Sequence, residues 1–188
     1  MQLITDSAAV GEVITQEEAK RHLRILSSSF DAEVDDKLQA AREWVENNTA
    51  RTIRPATTRT LSMCSWWSGQ LKLPYPPLLT ITHIKYYDAS NVLQTLAAGN
   101  YAVVNQTDQP GYLEYTSTAV LPSTFDRPDA VKIEYTSGYT EATLPAKLRN
   151  AVLMRLTQLW GDAKGRDIDH AERAAVHLEY ASDWGSYS

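Results

Sequence analysis

A single cysteine, Cys64, serves all 188 residues, so an intramolecular disulfide is excluded and no cysteine cluster is available for zinc. That is expected of a protein made in a reducing cytoplasm. No apolar run approaches the roughly 18 residues that a membrane helix needs, and Met1 to Gly11 lacks the basic start and long apolar core of a signal peptide. Neither secretion nor membrane insertion is expected. Glycine-rich phosphate loops, a nucleophile elbow, a zinc-protease helix motif, internal repeats and low-complexity tracts are all missing. A block of positive charge is missing too. Lys and Arg number 7 against 8 Asp and Glu in residues 15–54, 5 against 6 in 57–140, and 6 against 7 in 141–188. A protein that grips DNA concentrates cations to neutralise phosphates, so tight DNA binding by the monomer is not expected.

What is present suffices for one full core, or for one core with a small appended module: 43% of the residues are hydrophobic. Thr15-Gln16-Glu17-Glu18 has the form of a capping box, with the Thr15 hydroxyl as cap and Glu18 reaching back to the Thr15 amide. The helix it opens is predicted to run to about Leu26, with Ala19, Leu23 and Leu26 on one face and Ser27-Ser28-Ser29 as its stop. A second helix starts at Asp31, read as its cap, and carries Val34, Leu38, Ala41 and Val45 at helical spacing to about Asn48. Asp35 and Asp36 suit its positive N-terminal end, and Trp44 widens the stripe. A third begins at Leu144-Pro145, where proline fits the first helical position. Its stripe of Leu148, Val152, Leu156 and Leu159, supported by Ala151 and Trp160, ends at Gly161. The second and third helices are expected to pair, each large side chain contributing roughly 1.5–3 kcal/mol on burial.

Between them the texture changes to short β-branched and aromatic runs separated by Pro, Gly, Asn and Asp. Strands are predicted at about 57–63, 70–73, 79–87, 92–96, 100–104, 111–115 and 130–136, with a hairpin turn at Asp88-Ala89-Ser90-Asn91. Pro74, Pro76 and Pro77 form a rigid corner, because proline fixes φ and has no N–H to give a ladder. The expected fold class is therefore α+β: a small α-helical bundle (two N-terminal helices plus a C-terminal helix) with an inserted antiparallel β-sheet module. Residues 15–54 and 141–161 are assigned to the helical core, 55–140 to the inserted β module and 162–188 to a mobile C-terminal helix or tail. In that tail, Gly161 to Asp169 reads as a hinge. Ile168 to Tyr180 can form a short helix, with Ala171, Ala175 and Leu178 along a narrow apolar side.

The search for reactive groups yields no catalytic, cofactor or metal site. Cys64, beside Trp66 and Trp67 in a strand-like run, is expected to be a small buried residue. Of the four histidines, His22, His83, His170 and His177, only the last two are close in sequence, short of the three ligands that zinc needs. The adjacent pairs Glu17-Glu18 and Asp35-Asp36 sit on helix first turns, where carboxylates serve caps and dipoles. Trp66 and Trp67, if in a strand, face opposite sides of the sheet, one to the core and one to a partner or to solvent. The candidate interface residues are Trp66, Trp67, Leu178, Tyr180, Trp184 and Tyr187, since aromatics favour interface centres.

Several stretches, taken in order, resemble the phage head-tail connector family, also called head-completion adaptors. They are Thr15 to Arg24 (TQEEAKRHLR), Asp35 to Glu46 (DDKLQAAREWVE) with Thr49-Ala50-Arg51 after it, Leu73 to Leu78 (LPYPPL), Ile84 to Asp88 (IKYYD), Val131 to Tyr139 (VKIEYTSGY) and Leu144 to Ala151 (LPAKLRNA). The resemblance covers residues 15 to about 160; beyond Trp160 the family's closing basic residues are not recognisable. It implies a virion structural protein, not an enzyme, without cofactor or membrane contact. Such a protein is made in the host cytoplasm and placed at the head-tail interface. There about a dozen copies form an oligomeric ring below the portal protein, join head to tail, and form part of the channel for DNA ejection. The implied partners are the portal protein, a downstream head-completion or tail protein, and DNA in non-specific passage only. A ring needs two different complementary patches per subunit, for which the inserted sheet and the C-terminal helix are candidates. A nearly neutral subunit suits a conduit along which DNA must slide. The alternative is a monomeric β-module that binds a carbohydrate or peptide through Trp66, Trp67, Tyr75, Tyr86 and Tyr87.

Overall fold

The stripe of Val34, Leu38, Ala41 and Val45 is fully buried, and the helix that carries it organises one of two compact units. The computed structural model describes residues 2–7, 11–105 and 109–162. Its strands are β1 (Gln2–Ser7), β2 (Thr57–Met63), β3 (Leu71–Lys72), β4 (Leu78–Tyr87), β5 (Leu93–Thr95), β6 (Tyr101–Val104), β7 (Tyr112–Tyr115) and β8 (Val131–Ser137); its helices are α1 (Gln16–Leu23), α2 (Asp31–Thr49) and α3 (Ala146–Asp162). One unit gathers Met1–Val10 with Arg54–Gly138, and the other Gly11–Ile53 with Tyr139 onward. The α+β class and the insertion of β2 to β8 between α2 and α3 agree with the sequence reading; β1, which precedes α1, does not belong to that insertion.

In the helical unit, the Thr15 hydroxyl accepts the Glu18 N–H at 3.2 Å, as a cap should. Glu18 does not complete the box. Its carboxylate takes Arg149 Nη1 at 2.6 Å and so ties α1 to α3. Arg24 adopts a left-handed conformation at φ 58° and ends α1 at Leu23, with the Ile25 N–H donating to the Lys20 carbonyl at 2.9 Å. That reversal corrects the expected stripe: Leu23 and Ile25 pack on the core, whereas Leu26 is 99% exposed. Asp31 is likewise not a cap. It is the first residue of α2, preceded by a 3-10 turn over Ser28–Phe30, and its carboxylate is held by Lys20. On α3, Leu148, Val152 and Leu156 are buried with Ala151 and Trp160, and together with the α2 stripe, Val13, Ile14 and Leu144 they form one core.

Three points of this unit are fastened by buried polar groups. Arg42, whose side chain is 3% exposed, donates through Nε to both Glu12 oxygens at 2.9 and 2.8 Å and through Nη1 to Glu46 at 2.5 Å. The other Glu46 oxygen accepts the Ile53 N–H at 2.6 Å. Arg51, also buried, donates to the Tyr139 hydroxyl at 3.0 Å. Burial opposes the charge on Arg42, but Glu46 and Glu12 outweigh it and its pKa is raised. Glu12, Ile53 and Tyr139 each lie at or beside a point where the chain passes between units.

In the sheet unit, β8 is the centre of a five-stranded antiparallel sheet of order β1-β2-β8-β4-β5, and a three-stranded sheet has order β3-β7-β6. Alternation along β8 is complete: Val131, Ile133, Tyr135 and Ser137 are buried, while Lys132, Glu134 and Thr136 are half-buried. Leu61, Leu73, Ile84 and Leu113 pack with them. The proline corner lies between β3 and β4, and the Pro74 carbonyl accepts the buried Tyr135 hydroxyl at 2.8 Å. Strand β1 is absent from the sequence reading, because Gln2-Leu3-Ile4-Thr5-Asp6-Ser7 has no alternation; it forms by pairing along β2. Gly138, at φ 134°, passes so close to Arg54 that an added Cβ would lie 1.9 Å from its carbonyl oxygen.

The hairpin turn between β4 and β5 forms where expected, with Asp88 Oδ1 accepting the N–H groups of Ser90 and Val92 at 2.9 and 3.0 Å. Beside it, Arg127 lies over the Tyr87 ring at 3.7 Å, donates to Asn91 Oδ1 at 3.0 Å, and forms a two-pronged pair with Asp129, which also meets Lys132 at 3.0 Å. The hydrogen bonds from Arg127 and Lys132 push the Asp129 carboxyl down to about 2.

Three outcomes are expected. Arg42→Ala, which takes from Glu12 and Glu46 the buried cation they share, should cost about 3 kcal/mol in urea denaturation, whereas Leu26→Ala should change stability by less than about 0.5 kcal/mol. Gly138→Ala should destabilise by more than about 1 kcal/mol, because its backbone conformation and the Arg54 carbonyl both oppose a side chain. In a carboxyl NMR titration Asp129 should show a midpoint near 2, moving up toward the ordinary value of about 4 in Lys132→Ala. Its folded pKa is depressed, so its stabilising contribution is present above the ordinary carboxylate range and is lost as pH falls through about 2.

Candidate assembly interface

Trp66 and Trp67 follow β2 in a loop instead of lying in a strand. Freed from the two-residue alternation, their rings touch each other, with centroids 6.2 Å apart, and both pack partly buried on the core of the sheet unit. Trp66 Nε1 donates to the Pro122 carbonyl at 2.7 Å and its ring meets Tyr86 at 5.3 Å; Trp67 stacks on Tyr115 at 4.3 Å. Burial pushes the Tyr115 hydroxyl well up, partly offset by the Trp67 backbone, and raises Tyr101 too. Cys64, expected to be buried, is exposed, because the chain leaves the sheet one residue earlier, at Met63. The remaining aromatics of the binding-module alternative are also engaged. Arg59 lies over Tyr75 at 4.3 Å, and Tyr87 carries Arg127. Each of the five rings thus already has a ring or a cation against it.

The other candidate interface residues, Leu178, Tyr180, Trp184 and Tyr187, lie outside the described residues, as do His170 and His177. His22 bonds Thr157 Oγ1 at 2.9 Å and His83 faces Glu134 at 3.4 Å, in separate units. Among the described residues no group of three His, Cys, Asp or Glu is placed to hold a metal ion, and no helix is long and apolar enough to cross a membrane. The acidic pairs have structural partners: Glu18 has Arg149, and Asp35, which lies past the first turn of α2, accepts Gln16 Nε2 at 2.7 Å.

Sequence reasoning passed over a different surface. Leu79, Val92, Leu93, Val103, Val120 and Phe125 are exposed on the sheet unit. The signal available for it was the absence of any charged residue from Ala89 to Thr107.

No protein-family model matches the sequence, and no curated protein matches it. Solved structures do. The chain is similar to one in the virion of the native gene transfer agent (GTA) particle, with a TM-score of 0.75 and 26% identity over 96% of this chain and 95% of that one. It is also similar to a chain in the neck of the empty GTA particle computed with C6 symmetry, with a TM-score of 0.72, 25% identity, and coverage of 91% and 87%. A third likeness is to a chain in the neck of the native GTA particle computed with C12 symmetry, with a TM-score of 0.67, 25% identity, and the same coverage. The likeness takes in both units and almost the full length of each chain, so what this protein resembles is a structural component of a particle and its neck.

Proposed function

We propose that the chain is a head-tail connector, or adaptor, of a tailed-phage-like particle. About a dozen copies form a ring below the portal protein, receive the next neck or tail protein, and surround the passage for DNA. The observation that carries this reading is the full-length likeness, with a TM-score of 0.75, to a chain of a virion. The C6 and C12 symmetries of the two neck structures support a ring of repeated copies. The chain has a structural and not an enzymatic role, in keeping with carboxylates and histidines that serve caps and ion pairs. Near-balanced charge along the chain suits a wall past which DNA slides. The carbohydrate- or peptide-binding alternative has less support, since its five aromatics are already packed against partners.

Within this reading the candidate contacts with partners are the tail, residues 162–188, through Leu178, Tyr180, Trp184 and Tyr187, and the half-buried Trp66 and Trp67. The test is negative-stain imaging of the full chain mixed with the portal protein of the same particle. A ring of about a dozen copies seated on the portal is expected. Deleting 162–188 should leave the far-UV circular dichroism and melting of the remainder intact while abolishing assembly; unchanged assembly would reject the role given to the tail.

A further inference from the structure

The exposed large hydrophobics of the sheet unit are not scattered. Val92, Leu93 and Val103 belong to the stretch Ala89–Thr107, which holds no charged side chain in a protein that is 22% charged. The others are hydrogen-bonded beside it. The Val120 N–H donates to Asn100 Oδ1 at 2.8 Å, the Asn105 amide to the Leu79 carbonyl at 3.4 Å, and the Phe125 N–H at 3.0 Å to the carbonyl of Tyr87, which pairs with Leu93. The same stretch supplies β5 and β6, the outermost strands of the two sheets. Edge strands are ordinarily guarded by short length, by proline or by charge, above all Lys, because their open N–H and C=O groups invite pairing. These two are short but carry neither proline nor charge. All three residues of β5 are exposed, and among the described residues no strand covers its outer side.

We propose that this charge-free stretch, centred on β5, is the face through which one copy of the chain binds the next; the inference rests on the ring reading above and names its contact surface. A second copy is the occupant for three reasons. The absence of charge around exposed Val, Leu and Phe fits the centre of a protein interface and offers nothing to nucleic acid, which needs cations. The five-stranded sheet ends on its opposite side in β1, whose outer side no strand covers among the described residues, so β5 of one copy can add to β1 of its neighbour without either surface being used twice. Such a head-to-tail contact is the kind that closes into a ring. Finally, the neck chains it resembles belong to assemblies computed with sixfold and twelvefold symmetry.

The experiment compares the full chain with its Val92→Lys/Leu93→Lys variant, each alone and with the portal protein, by native mass spectrometry and negative-stain imaging. Hydrogen exchange of residues 89–105 is followed in the unmodified chain. Both substituted side chains are exposed, so the variant should keep its circular dichroism and melting temperature. Rings from the unmodified chain with new amide protection at 89–105, and a folded variant that stays monomeric, are the expected results. Unmodified chain that forms rings without protection in that stretch would overturn the inference even if the variant misfolds, and rings from both chains would do the same, leaving the connector reading intact. Failure of the unmodified chain to form any ring would remove both readings.

Discussion

A guanidinium withdrawn from water must be matched by carboxylates, and the match found by Arg42 determines how the helical unit is closed. Its partners are not neighbours chosen for convenience. Glu12 stands where the chain first comes into the unit, and Glu46 passes the contact on to the Ile53 N–H, where the chain leaves it. Arg51 does the same for the return, through Tyr139. Replacing such a cluster by apolar groups can be neutral for stability, whereas removing one member is costly.

The apolar cores then divide the remaining work. In the helical unit, α2 and α3 interlock through leucine and valine stripes placed about a hundred residues apart in sequence. In the sheet unit, β8 is bonded on both sides and buries every second side chain. The ionisable cluster of the helical unit, Arg42 with Glu12 and Glu46, is taken up in closing that unit, and among the described residues no group of three His, Cys, Asp or Glu is placed to hold a metal ion. What distinguishes the surface among the described residues is instead a stretch around the terminal strand β5 that carries exposed hydrophobics and no charge.

Much of this was legible in the sequence, and the exceptions have physical causes. Long periodic elements such as α2 and α3, and the alternating β8, were placed to within a residue or two because burial imposes their period. Leu26 and Asp31 were misread because a left-handed Arg24 and a short 3-10 turn intervene, and neither leaves a periodic trace. β1 was missed because its strand character comes from its partner and not from its own alternation. Trp66 and Trp67 were assigned a strand geometry that the loop does not have. The exposed hydrophobics near β5 escaped notice because a scan for amphipathic periods and reactive groups does not register charge that is missing.

The register of the sheet bears on how such a chain can fold at all. Ser7 lies opposite Thr58, and Thr57 opposite Ser137, so the three connections to the helices leave from one end of three adjacent strands. The α2 and α3 stripes are separated by a long stretch of chain, and bringing them together unaided would cost closure entropy that grows with the length of the loop. A sheet that zips first along β2 and β8 brings Arg54 and Gly138 side by side, and the loop that the helices must close shrinks to a few residues. During synthesis α2 therefore waits for α3, the last of its described packing partners to be made, and until then α1, Val13, Ile14 and Ile53 are what its apolar side has to pack with among the described residues.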